Sequence, residues 1–438
     1  MTKRNFLKTS ASLLTSTLAA ADAPRKNWAG NLTYKAARLH RPTTLDEVRK
    51  IVRTCDQLKA LGAKHSFNTV ADSATDQISP NFPDSMNLDA KRRTVTVAAG
   101  VTYGHLAPYL HRQGFAVHNL ASLPHVSVVG AAATATHGSG SGNGNLSTAV
   151  NALEIVTANG DVLTLTRERD GDRFKGAVVS LGGLGVVTRI TLDVVPAFDV
   201  RQTVYRNLSL AQLEKNFEEI FASGYSVSLF TGWQKRTASE VWIKSLASAT
   251  PAKSEFFGAK AATKKLHPLV GLPAENCTEQ LGVAGPWYER LPHFRMDFTP
   301  SSGDELQSEF FVPRDKGYEA ILAMEKLRDR ITPHLLITEL RTIAADDLWL
   351  SPCYRRDALA IHFTWKPDWP AVKDVLPKIE AALAPFEVRP HWAKLFTLAP
   401  ARLQAAYPKM AAFRDLLKQH DPGGKFRNAF LDANIFTS

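Results

Sequence analysis

Apolar and polar positions alternate along this chain with two periods, and the change from one to the other marks its elements. Leu45, Val48, Ile51, Val52, Cys55 and Leu58 recur at helical spacing, so a helix with one apolar face is predicted there. Thr44 and Glu47 stand three apart at its start, the spacing of a capping box. Thr94 to Ala98 alternates as a strand, a helix runs from about Tyr103 and stops at Gly114, and Val117 to Leu120 predicts a short strand. Leu153 to Thr166 predicts a hairpin turning at Asn159-Gly160, a pair suited to a type I′ turn. Leu181 to Thr188 feeds a further strand ending near Val195, and Pro196 closes this half. Beyond residue 200 strands alternate with longer helices: strands over 225–230 and 240–244, a helix over 318–330, then strands over 335–343 and 358–365. Residues 266–303, rich in Pro and Gly, predict long loops. The pattern is that of an α+β chain.

Two segments carry candidate chemistry in this first half. Leu61-Gly62-Ala63-Lys64-His65-Ser66-Phe67-Asn68 forms a loop directly after the first helix. Gly62 lets the backbone approach a ligand, and successive amides in such a loop can cradle a phosphate, with His65 beside it. Residues 121–145 are rich in Gly, Ala, Ser and Thr, including Gly130, Gly138, Gly140, Gly142 and Gly144. That composition also fits a flexible linker. Its apolar flanks argue instead for a backbone that passes close to a cofactor. No Gly-x-Gly-x-x-Gly stands between a strand and a helix with an acid about 20 residues on, which excludes a Rossmann nicotinamide site.

The second half adds charge to an apolar face. Strand alternation places Leu335, Ile337, Glu339, Arg341 and Ile343 together. A buried structural ion pair accounts for this as well as a ligand site would, with Glu339 accepting hydrogen bonds and Arg341 donating them. On the next strand His362 and Thr364 share a face. Lys394, taken alone, reads as an exposed lysine.

The chain of 438 residues is long enough for two cores. Its net charge of +11 is spread along the sequence rather than clustered, so nucleic acid is not expected as a partner. Three cysteines, Cys55, Cys277 and Cys353, provide neither a disulfide framework nor metal-ligand spacing, and no metal is expected. At the start, Lys3-Arg4-Asn5-Phe6-Leu7-Lys8, the mildly apolar run Ala11 to Ala20 and Ala21-Asp22-Ala23 resemble a twin-arginine export leader over residues 1–24, with Lys replacing the first Arg. A periplasmic or extracellular protein is then expected; with a non-functional leader, or a disordered basic tail in its place, it stays cytoplasmic. No later run is long and apolar enough to span a membrane, so no integral membrane association is expected.

The Gly-x-x-His-Ser-Phe loop at 62–67, Ala121 to Gly130 and Thr136-His-Gly-Ser139 together resemble the vanillyl-alcohol-oxidase class of flavoproteins with a PCMH-type FAD-binding domain. Asn27 to Asn31, 276–280, 285–287, 300–303, 342–352 and 389–394 extend the resemblance, which is nearest to alditol (xylitol, sorbitol) oxidases, relatives of the aldonolactone oxidases. It spans residue 27 to the end. The resemblance implies a PCMH-type FAD-binding domain of two α/β subdomains over 25–197. A substrate cap domain over 198–405, an antiparallel sheet flanked by helices, follows it, and a C-terminal segment over 406–438 returns to the first domain. It implies FAD joined covalently to His65 and contacted by Leu61, Gly62, Ala63, Lys64, Ser66, Phe67, Ser122, Ser127, Gly130, Thr134, Thr136, His137, Gly138, Gly185, Val186 and Asn428. It implies catalytic roles for Arg341, Lys394 and Glu339, with Ser122 and Thr364 also holding the substrate. The implied reaction is oxidation of a polyol's C1 hydroxyl to an aldose, with O2 reduced to H2O2 by a monomeric enzyme. An aldonolactone substrate keeps the same fold. Ala121, beside the flavin by analogy, leaves oxidase and dehydrogenase both open, and a non-catalytic flavin or polyol carrier would lack Arg341 or Lys394, both of which are present.

Overall fold

The first helix, Leu45–Thr54, starts where Thr44 Oγ1 accepts the Glu47 amide at 3.2 Å. The Glu47 carboxylate reaches back to the Thr43 amide at 2.7 Å, so the reciprocal half of the box closes one residue early. Val48 and Val52 are its buried positions, Cys55 caps its end, and Leu58 belongs to the next strand rather than to the helical face. These elements come from a computed structural model that describes residues 24–83, 85–298 and 304–437. All but one residue of the leader, and the 300–303 motif, lie outside the described residues.

Leu58–Ala60 joins Arg38–His40 and Asp76–Ile78 in a parallel three-stranded sheet, and its end launches the 61–67 loop. A second, antiparallel sheet orders Met86–Asp89, Thr94–Ala98, Val186–Asp193, Val150–Val156 and Val162–Thr166. The helix Tyr103–Arg112 stops before Gly114, which takes φ 80°. The strand expected at 117–120 does not form. Only Phe115–Ala116 pairs, with Val195–Pro196, and the Asn119 side chain then bonds the Leu120 amide and the Ser139 carbonyl, which holds that stretch as loop. The 150–166 hairpin also departs from expectation: Gly160 alone takes positive φ (84°), with its amide on Thr157 O. That is a type I turn followed by a left-handed glycine, not type I′.

The second half is built on a ten-stranded antiparallel sheet. At its centre Asp199–Ser209, Thr237–Leu246, Ser226–Thr231, Leu335–Ile343, Ala358–Trp365 and Leu306–Pro313 are neighbours in that order. The predicted bounds of 335–343 and 358–365 are met to the residue. One face, with Leu229, Val241, Phe310, Leu340, Ile361 and Phe363, packs against the helices Leu213–Phe221, Gly317–Glu325 and Trp369–Leu383. The helix expected over 318–330 breaks after Glu325 and resumes at Arg328–Ile331. Each large apolar side chain buried there contributes about 1.5–3 kcal/mol. This supports a sheet whose other face buries charge. A bulge between Leu335 and Ile337 turns Leu335 to the helix side, so the opposite face starts at Ile337 and not at Leu335.

The core beneath the first two sheets draws on distant sequence. It includes Trp392, Tyr407, Phe413, Phe426 and Leu431, and also Leu348, Trp349 and Leu350 from within the stretch assigned to the cap. No described helix is long and apolar enough to cross a membrane.

Candidate active site

A cavity of about 400 Å³ runs between the 61–67 loop and the polar face of the large sheet. The loop's ends are tied down: the Leu61 amide donates to Ile78 O and the Phe67 amide to Ala393 O, each at 2.8 Å. Among the described residues the amides of Gly62, Ala63, Lys64, His65 and Ser66 have no acceptor, although all five residues line the cavity. Lys64 takes φ 64°, a left-handed residue of the kind that lets successive amides turn toward one anion. Such a row is the backbone answer to a phosphate, so the loop fits the pyrophosphate of a dinucleotide cofactor such as FAD. Trp28 fixes the loop's tip by donating its amide to Lys64 O and stacking on the His65 ring at 5.1 Å. Burial, then His125 and Lys64, pulls His65 down to about 4, so the imidazole is neutral and nucleophilic near pH 7. Beneath the loop, buried Lys59 donates to Leu181 O, Gly182 O and Phe426 O. That bond set joins the loop, the glycine-rich turn and the C-terminal segment.

The opposite wall is a grid set by sheet register. Glu309 pairs with His362, which pairs with Glu339; Gln307 pairs with Thr364, which pairs with Ile337. Glu309 is 1% exposed and takes Arg341 Nη2 at 2.9 Å, Lys394 Nζ at 3.1 Å and His137 Nε2 at 3.2 Å. Burial pushes Glu309 up, and Lys394, His137 and Arg341 overcome it to hold the carboxyl well below the usual range. Glu339 behaves alike: burial is outweighed by Arg341 and His293, the latter donating from Nε2 at 2.7 Å. Arg341 is raised, because the two glutamates outweigh its burial. Lys394 is lowered by burial, with Glu309 opposing, and its Nζ sits 2.7 Å from His362 Nδ1. Burial and Lys394 hold His362 down to about 4, and its Nε2 lies 3.1 Å from Thr364 Oγ1. Arg341 Nη1 also donates to Ser122 Oγ at 3.1 Å, which links the large sheet to the 121–145 stretch across the cavity.

Most of the residues singled out in the sequence meet here. Leu61 to Phe67, Ser122, Ser127, Gly130, Thr134, Thr136, His137, Gly185, Glu339, Arg341, Thr364 and Lys394 all line the cavity. Gly138, Val186 and Asn428 do not. A Cβ on Gly138 would stand 2.4 Å from Leu120 O, so that glycine serves close packing. Val186 is buried in its strand, and its neighbour Val187 lines the cavity instead. Asn428 caps the C-terminal helix and donates its amide to the carbonyls of Thr69, Val70 and Asp72. Sequence reasoning missed Glu309, His293 and His391. An acid ahead of Phe310-Phe311-Val312 was the available signal for Glu309, once that strand is recognised. His293 sits in a long loop with no local signal.

An amide row suited to a dinucleotide pyrophosphate, facing a buried wall of paired cations and carboxylates across one cavity, defines an FAD-dependent oxidoreductase. Comparison with known proteins agrees. An FAD binding domain model matches residues 36–166, and a D-arabinono-1,4-lactone oxidase model matches 304–434. The chain is 48% identical to an alditol oxidase of Streptomyces sp. over 92% of its own length and 97% of that protein's. It is 26% identical to the L-gulonolactone oxidase of Mus musculus over 93% and 97%. Cholesterol oxidase from B. sterolicum, 15% identical, shares the fold with a TM-score of 0.74 over 94% of this chain and 96% of that one. The chain belongs to the alditol oxidase family, with the aldonolactone oxidases as more distant relatives.

Proposed function

We propose that the protein oxidises the C1 hydroxyl of a linear polyol to the aldehyde of an aldose, on FAD attached covalently through His65. Dioxygen takes the electrons: R–CH2OH + O2 gives R–CHO + H2O2. The observation that carries the reading is Glu309 holding Arg341 and Lys394 side by side at the cavity wall, beside Ser122, Glu339 and Thr364. When bound, FAD supplies the hydride acceptor at N5 and the route to oxygen.

The side chains prepare the alcohol. Two adjacent cations polarise its C1 oxygen and stabilise the alkoxide character that grows as hydride leaves. Glu309 keeps them close together from a buried position at the cavity wall, its charge matched by both cations. Hydrogen-bond direction then fixes what the wall presents. Arg341 can only donate, so Ser122 Oγ accepts from it and keeps its own proton for a substrate oxygen. Lys394 donates to His362 Nδ1, His362 Nε2–H donates to Thr364 Oγ1, and the Thr364 proton is likewise free for the substrate. Glu339 supplies an acceptor. A row of hydroxyls, each both donor and acceptor, suits this alternating wall.

The test uses the purified holoprotein. Acid precipitation reads whether yellow flavin stays with the pellet, and anaerobic mixing with xylitol, sorbitol or L-gulono-1,4-lactone reads whether the flavin bleaches. Retained colour and bleaching by polyols support the proposal. Faster bleaching by the lactone would replace polyol with aldonolactone, and colour lost to the supernatant would remove His65 as the attachment site.

A further inference from the structure

Lys244 has no role in the chemistry above and is only 1% exposed. It lies on Thr237–Leu246, two strands from Glu339 in the large sheet. Its Nζ meets Leu291 O, Pro292 O at 2.9 Å and His293 Nδ1 at 3.0 Å. Burial pulls Lys244 down to about 7, with Glu339 opposing; in its ammonium form it has three protons and accepts nothing, so these three partners then use it fully and make Nδ1 an acceptor. The His293 proton must then reside on Nε2, the atom 2.7 Å from Glu339 Oε1, and a carboxylate can only accept. One tautomer satisfies both neighbours. The edge-on rings of Trp242 and Phe230, at 5.3 Å and 5.6 Å from the His293 ring, hold its plane. The same segment reaches across the domain junction, where the His293 amide donates to Ser122 O at 3.0 Å.

We infer that Lys244 and His293 form a positioning relay: Lys244 sets the His293 tautomer, His293 Nε2–H aims Glu339 at the substrate hydroxyls, and the segment braces Ser122 from the cap side. The relay rests on the polyol reading for its consequence, though not for its geometry. Two further observations fit it. Burial and Lys244 hold His293 down to about 4, so the ring stays neutral at working pH. Thr278 Oγ1 donates to Pro292 O at 2.7 Å, so the segment that Lys244 grips is held from a second side.

The test separates hydrogen bonding from packing. In His293→Gln the amide carbonyl can accept from Lys244 while the amide N–H donates to Glu339; His293→Leu fills the space with neither. Xylitol titrations of anaerobic flavin bleaching are expected to show at least about tenfold weaker half-saturation for His293→Leu, with the smaller part of the loss in the limiting rate, and recovery to within about threefold for His293→Gln. Equal behaviour of the two variants overturns the relay. In a Glu339→Gln background the His293→Leu change is expected to add less than about twofold, and full additivity also overturns it.

A readout that needs no substrate is the 15N spectrum of histidine-labelled holoprotein, with the His293 signals assigned by their loss in His293→Gln. A neutral ring protonated at Nε2, which loses this single tautomer in Lys244→Met, is expected. A proton on Nδ1 in the wild type overturns the relay. The Nε2–H tautomer in a protein that no polyol bleaches retires the functional reading and leaves the relay standing.

Discussion

Replacing Glu309 with glutamine removes the carboxylate that Arg341 and Lys394 share and leaves its shape. Arg341 keeps Glu339 at 3.5 Å, whereas Lys394 has no second carboxylate within ion-pair distance among the described residues. At the 3.1 Å separation of Lys394 Nζ and Glu309, and an effective dielectric of about 20, the lost attraction is on the order of 5 kcal/mol. Burial already lowers Lys394 and Glu309 is the largest group opposing it, so the variant lowers it further. The sign follows: rate that depends on cationic Lys394 is present at low pH and lost as pH rises, and the variant loses it earlier. A quarter of that energy moves the alkaline limb down by about one pH unit. At neutral pH the limiting rate of flavin bleaching by xylitol is expected to fall about 100-fold, with partial recovery on acidification. Breaking a buried ion pair also costs about 3–5 kcal/mol of stability, part of which neutralisation of Lys394 returns. Anaerobic stopped-flow mixing between about pH 5 and pH 10, with a melting curve at each pH, reads both effects. An unmoved alkaline limb, or a loss uniform across pH, would refute the reasoning.

Four other perturbations test separate parts. Lys394→Met is expected to slow flavin bleaching by polyols by about 100- to 1000-fold while acid-precipitable flavin is unchanged, and near-normal turnover removes Lys394 from the chemistry. His65→Ala is expected to yield a colourless acid pellet. Because His65 is held down to about 4, attachment of FAD to apoprotein is expected to vary less than about twofold between pH 6 and pH 8; a steep rise near pH 6.5 would show an ordinary imidazole. Gly138→Ala drives a Cβ against Leu120 O and is expected to cost about 1–3 kcal/mol by thermal melting. Gly142→Ala, with nothing within 4 Å of its Cβ, is expected to stay within about 0.5 kcal/mol and serves as its control. Asn428→Ala removes the donor to three carbonyls and is expected to lower stability by about 1–3 kcal/mol at unchanged FAD affinity. Lost flavin with an unchanged melting temperature would return Asn428 to the cofactor.

How much was legible before the fold depends on how far each signal reaches along the chain. Strands 94–98, 335–343 and 358–365 follow from alternation alone, because side-chain direction in a strand is set residue by residue. The strand at 117–120 fails for the opposite reason: its apolar residues have the propensity, but Asn119 binds Ser139 across 20 residues, and no described strand pairs with it. Leu335 misleads in the same manner, since a bulge set by pairing with Ala358–Trp365 reverses its face. Motif resemblance supplied the 61–67 loop, Ser122, Glu339, Arg341, Thr364 and Lys394, all of which line one cavity. It also named Gly138 and Asn428, whose side of the backbone only packing decides.

The sequence by itself determined the amide-bearing loop around His65, the two strands that carry Glu339, Arg341, His362 and Thr364, and the family to which they belong. Tertiary structure alone decided the electrostatics. Glu309 becomes the shared counter-ion only because Leu306–Pro313 pairs with Ala358–Trp365 in a register that sets it opposite His362. Lys244 reaches Glu339 only through a histidine from a loop 49 residues away in sequence. Periodicity reports which way a side chain points; which charge it meets is settled by strand register and loop closure between residues far apart in the chain, and a buried charge is tolerated only once those partners have arrived.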